Sequence, residues 1–85
     1  MKKMLGIVKN VFIPEEYKNG VLLDIMDRHN IGFNVETLEG MKEVIVEQNE
    51  VNADIYKDDK VLIIEQYISG EYFVDIELFG GDVDV

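Results

Sequence analysis

Few residue types in this chain could do chemistry, and its single histidine is the first of them. His29 stands in Asp27-Arg28-His29-Asn30, a polar run that reads as a turn. An imidazole titrates near neutral pH, so it could sense protons or serve as a general base. A working base needs a partner within hydrogen-bond reach. No serine, threonine or cysteine stands at short range, and Ser69 sits alone in a glycine turn. An exposed turn histidine is the expectation.

Carboxylates offer more combinations: Asp24 with Asp27, Asp58 with Asp59, Asp75 with Glu77, and Asp82 with Asp84. A glycosidase-like pair needs a cleft that raises one carboxyl pKa. A chain of 85 residues has little interior left for a cleft. Asp75 and Glu77 point the same way on a strand and repel unless a cation or basic side chain lies nearby. Asn49, Glu50, Asn52, Asp54, Asp58 and Asp59 could supply oxygens to a hard cation. The spacing of a calcium-binding helix–loop–helix is absent, with no central glycine and no closing glutamate in register. Gly80-Gly81-Asp82-Val83-Asp84 is one copy of a pattern that calcium-binding glycine–aspartate proteins repeat. Without cysteine, and with one histidine, no zinc ligand set exists. Gly80-Gly81 opens no helix, so no phosphate cradle forms there. The expectation is a protein that is not an enzyme, with no catalytic residue, metal or cofactor.

Charge narrows the partners. The formal net charge is −10, and it is uneven. Residues 1–43 carry 6 basic and 7 acidic residues, whereas residues 44–85 carry 2 basic and 11 acidic ones. Such a field repels phosphate backbones and anionic membranes, so neither nucleic acid nor membrane insertion is expected. Tyr17, Phe33, Tyr56, Tyr67, Tyr72 and Phe73 could stack bases on a sheet, but the basic track that strand binding needs is missing. A basic protein partner is favoured. The apolar run after Met1-Lys2-Lys3 stops at Lys9, too short for a signal-peptide core or a membrane span. With no cysteine, the chain reads as cytoplasmic.

These residues must be positioned by strands. Met4–Phe12 is the first, ended by Pro14, which cannot donate to a ladder. Gly6 fits a bulge or a tight corner. Residues 14–20 read as a loop closing on Asn19-Gly20, a turn signal. Val21–Met26 and Ile31–Leu38 read as a hairpin turning near Arg28–Asn30. Lys42–Val46 reads as a short strand, because its β-branched run outweighs a helical alternative over 41–50. Residues 47–57 connect onward, with Val51, Ala53 and Ile55 available to the core. Lys60–Tyr67 and Glu71–Leu78, joined by Ser69-Gly70, make the best hairpin.

The fold expectation is mostly β: a small five- or six-stranded OB-like or SH3-like barrel over residues 1–79, with an acidic tail at 80–85. The alternative is an open antiparallel sheet with one short helix at about 41–50. Asp58-Asp59-Lys60-Val61-Leu62-Ile63-Ile64, followed by Ser69-Gly70 and Tyr72-Phe73-Val74, resembles the short OB-like barrels found beside bacterial membrane-protease-associated segments. In those barrels a glycine commonly holds the turn where this chain has Asp58-Asp59. That resemblance implies the barrel and carries no catalytic residue.

The functional expectation is a non-catalytic protein-interaction module, self-associating through a sheet edge. Its candidate surface is Phe73, Asp75, Glu77, Phe79, Val83 and Val85, an apolar row rimmed by acids. A homo-oligomer is favoured because a small domain gains stability by burying surface against a copy of itself. The alternatives are a structural component of a larger assembly, or a small-ligand or enzymatic domain with its pocket at a subunit junction.

Overall fold

The fold comes from a computed structural model that describes residues 1–80. Seven strands follow in order: β1 (Lys2–Phe12), β2 (Tyr17–Lys18), β3 (Val21–Leu22), β4 (Asn30–Thr37), β5 (Gly40–Glu47), β6 (Lys60–Ile68) and β7 (Glu71–Leu78). Two 3-10 turns, Ile25–Asp27 and Asn52–Asp54, interrupt them. Five strands form one antiparallel sheet in the order β5-β4-β1-β6-β7, and β2 and β3 form a separate two-stranded ribbon.

Alternation explains the inner face. Met4 and Val8 on β1, Ile31, Phe33 and Val35 on β4, Val44 on β5, Val61 and Ile63 on β6, and Ile76 on β7 are buried together. Across the ladders Phe33 faces Val44, Val8 faces Val35, and Met4 and Ile76 both face Ile63. The register of β1 on β4 slips between Val8 and Asn10, a bulge that lets Val11 pair with Phe33 and keeps Val11 against the core. Gly6 is not the bulge. A Cβ there would lie 2.4 Å from Val35 Cγ1 and 2.8 Å from the Glu36 carbonyl oxygen, so the residue allows β4 to pass close over β1.

The sheet is open, and this overturns both the OB-like or SH3-like barrel and the resemblance that implied it. Its curl brings β5 and β7 near each other, but no ladder joins them among the described residues. The reason lies in residues 48–59. Ile55 is buried with the core residues, and the turn Asn52–Asp54 packs against β7, so this connection occupies the space that a closing ladder would need. Each edge is also partly satisfied. The Phe79 N–H bonds the Lys60 carbonyl, so odd residues of β7 face β6 and the Ile76 N–H points outward. That N–H donates to its neighbour's Asp75 Oδ1 at 2.8 Å. At the other edge the Glu47 carbonyl accepts from Asn52 Nδ2 at 2.8 Å.

The alternative fails too in its helix, because residues 41–50 begin as strand β5, which contains Lys42–Val46. The Val21–Met26 hairpin with Ile31–Leu38 is also wrong. Val21–Leu22 turns back on Tyr17–Lys18, and β4 pairs with β1 and β5 instead. Asn19 and Gly20 both have positive φ (53° and 79°), the twist that closes a two-residue hairpin of its own. Of the three apolar residues in the connection, only Ile55 reaches the core; Val51 and Ala53 are exposed. Residues 81–85 of the acidic tail lie outside the described residues.

Candidate functional site

Among the described residues the ribbon β2–β3 packs against no other strand. Tyr17 pairs with Leu22 and Lys18 with Val21, and the 3-10 turn Ile25–Asp27 follows. Five large apolar side chains, Tyr17, Val21, Leu22, Ile25 and Met26, are exposed within this short stretch, Met26 at 94%. Scattered exposed apolar residues are ordinary, but a contiguous run on a projecting element marks an interaction surface.

The base of the ribbon is pinned. Glu16 Oε1 accepts the N–H groups of His29 at 2.6 Å and Asn30 at 2.7 Å, and Oε2 lies 3.2 Å from His29 Nδ1. Desolvation of the Glu16 carboxyl acts to raise its pKa. The Asn30 and His29 contacts outweigh it and hold the group below the ordinary glutamate range. The Leu23 N–H donates to the Glu16 carbonyl at 2.8 Å, and Arg28 Nε donates to the Leu23 carbonyl at 2.9 Å. The one histidine thus has a partner, Glu16, and the pair ties down a loop.

The second feature is a shallow apolar depression on the outer face of the sheet, about 380 Å³ in volume. Leu5, Gly6 and Ile7 of β1, Glu36 and Thr37 of β4, Leu38 of the β4–β5 turn and Lys60 of β6 line it. Leu38 is fully exposed. Its turn is tied to β1 by Lys2 Nζ, 2.9 Å from Glu39 Oε1. That contact raises the Lys2 pKa and lowers that of Glu39. Lys9 Nζ stands 3.4 Å from Glu36 Oε1 and offsets that acid.

The residues singled out on β7 fall as alternation requires. Phe73, Asp75 and Glu77 share the outer face, opposite Gln66, Ile64 and Leu62 of β6. Phe73 is 45% exposed, so it does not fill a second core. Asp75 and Glu77 are exposed, and among the described residues no lysine or arginine pairs with either. Phe79 is half-buried under Lys60, whose Nζ lies 5.9 Å from the ring centre. Val83 and Val85 lie outside the described residues. The structure therefore brings Phe73, Asp75 and Glu77 together and keeps the ribbon separate from them.

Three residues of the acidic connection use side-chain oxygens to hold the backbone. Asn49 and Asn52 exchange side-chain and main-chain hydrogen bonds at 2.8 and 2.9 Å, and Asp59 Oδ2 accepts the Tyr56 N–H at 2.8 Å. Among the described residues no group of three or more His, Asp or Glu side chains is placed to hold a metal ion. No helix among them is long and apolar enough to cross a membrane.

Sequence reasoning missed the ribbon because it paired Val21–Met26 with Ile31–Leu38 as a hairpin. The signal was present: Asn19-Gly20 flanked by two residue pairs is a complete short hairpin, and Asp24 and Asp27 break the alternation a buried strand would need. No protein-family model, no curated protein and no solved structure matches the chain.

Proposed function

We propose that this domain is a non-catalytic structural component of a protein assembly, and that it docks through the apolar ribbon Tyr17–Met26. The observation that carries the reading is the exposure of Tyr17, Val21, Leu22, Ile25 and Met26 on a ribbon that, among the described residues, meets no other strand. A ribbon held at its base by Glu16 and Arg28 presents these side chains in one arrangement, which lowers the ordering cost of association. A cytoplasmic setting suits a chain without cysteine.

The test is a photo-crosslinking residue placed at position 26 of the full chain in cells. The reading predicts one product of defined added mass, abolished by Val21→Asp, with the melting temperature unchanged. A product at position 73 and none at position 26 would overturn it. A second reading rests on the edge strand β7, where Phe73, Asp75 and Glu77 share the outer face and, among the described residues, no lysine or arginine pairs with either acid. Pairing two such edges would set like charges together, so that surface suits a basic partner and not a copy of itself.

A further inference from the structure

The ribbon and the outer-face depression complement each other, and they lie too far apart in one chain to meet. We propose that the ribbon of one copy seats in the Leu5–Ile7–Leu38 depression of the next, an inference that rests on the ribbon being the docking surface.

Three observations support this occupant. The first is chemical: Leu5, Ile7 and Leu38 are apolar residues in the wall of the depression, and the turn after β3 presents Ile25 and Met26 as exposed apolar side chains. A volume of about 380 Å³ is enough for apolar side chains of that kind. The second is charge. β1 carries Lys2, Lys3 and Lys9 and no acid; Lys2 is paired with Glu39 and Lys9 with Glu36, so the positive charge left at this patch is Lys3 and, in the wall of the depression, Lys60. The nearest acid in the wall, Glu36, is offset by Lys9. The ribbon and its flanks, residues 15–28, carry Glu15, Glu16, Asp24 and Asp27 against Lys18 and Arg28, a net acidic segment. In a chain of net charge −10, a patch whose acids are paired with lysines repels an acidic element of a second copy less than the unpaired Asp75 and Glu77 of β7 would.

The third is placement. The ribbon leads into β4 at Asn30, and Leu38 follows its last residue, Thr37. Those ends are roughly 23 Å apart at the usual rise of a strand. A ribbon therefore reaches a neighbour's depression and not its own. The two patches differ, so the contact is head-to-tail and propagates into a ring or a filament.

Complementing variants test this by light scattering after size exclusion. Ile25→Asp/Met26→Asp removes the exposed apolar residues of the turn that follows β3, and Leu38→Asp/Lys60→Glu spoils the depression. All four positions are exposed, and circular dichroism melts check that each variant stays folded. The wild-type chain is expected to exceed the mass of two chains as concentration rises. Each variant alone should run as one chain, and an equimolar mixture should stop at two. A mixture of single chains, or a wild-type chain that stays single throughout, would overturn the proposal. Should the wild type be single while position 26 still crosslinks to a different protein, the ribbon reading stands and only the second-copy seat falls. An oligomer untouched by Ile25→Asp/Met26→Asp would remove both.

Discussion

Two glycine substitutions separate a fixed steric wall from a movable one. A Cβ at Gly32 would lie 2.4 to 2.8 Å from three ring atoms of Phe12, a half-buried side chain on the outer face. That ring can swing outward, giving up part of its burial. Complete burial of such a side chain is worth about 1.5–3 kcal/mol, so partial loss costs about 1 kcal/mol. Replacing glycine by alanine returns about 0.4–1 kcal/mol by narrowing the unfolded ensemble. Gly32→Ala should therefore come out close to neutral. At Gly6 the obstacles are Val35 Cγ1 at 2.4 Å, the Glu36 carbonyl oxygen at 2.8 Å and Thr37 Cγ2 at 3.1 Å. Val35 is fully buried and stiff at χ1, and the carbonyl belongs to the β1–β4 pairing, so neither yields without parting two strands. Overpacking of this kind costs about 1–3 kcal/mol, and the upper end applies where both neighbours are fixed. Net of the entropic return, Gly6→Ala should lose about 2 kcal/mol. In a domain of this size that lowers the melting temperature by roughly 8–16 °C. Urea denaturation with an unchanged m-value, alongside thermal melts, measures both variants. A Gly32→Ala loss equal to or larger than that of Gly6→Ala would refute the close passage of β4 over β1.

Other consequences follow from the hydrogen bonds. The folded Glu16 pKa is below its unfolded value, so the stability it adds is full above the ordinary glutamate range and fades as pH falls through the folded value. The His29 and Asn30 amide resonances should move together with a midpoint below 4.5, and Glu16→Gln should abolish that step. Tyr72 donates to Glu65 Oε2 at 2.6 Å, which, with some desolvation, pushes its pKa up to about 12. In an alkaline absorbance titration one tyrosine should ionise near that value, its contribution to stability being present below the unfolded pKa and lost as pH rises through 12; Glu65→Gln should return it toward 10.0. Asn52 is fully buried and bonds both the Asn49 N–H and the Glu47 carbonyl. Asn52→Ala should cost about 1–3 kcal/mol in urea unfolding, because the part-buried Asn49 N–H and Glu47 carbonyl lose their side-chain partner.

How much of this the sequence disclosed depended on the range of the interaction that decides each element. Lys60–Ile68 and Glu71–Leu78 were legible because the alternation and the Ser69-Gly70 turn are local, and both turn residues adopt positive φ. The alternation also placed Phe73, Asp75 and Glu77 on one face. Closure was not legible. It turns on whether β5 and β7 pair, and that is decided by Ile55 and Asn52 from a connection whose pattern is irregular. Asn52 reads in sequence as one more polar loop residue, yet it is the buried polar side chain that satisfies the β5 edge. The ribbon was hidden for the opposite reason: Val21-Leu22-Leu23 looks like core by composition, while two hydrogen-bonded pairs and the Asn19-Gly20 turn hold it clear of the sheet.

The most direct test of the docking surface is hydroxyl-radical footprinting of the full chain in its associated state against the same chain diluted. Met26, Ile25 and Tyr17 are exposed on the ribbon, while Tyr67 and Tyr56 are exposed elsewhere and serve as internal references. The account predicts that association protects Met26, Ile25 and Tyr17 and leaves Tyr67 and Tyr56 as reactive as before. Protection of Tyr67 or Tyr56 with the ribbon still fully reactive would contradict it.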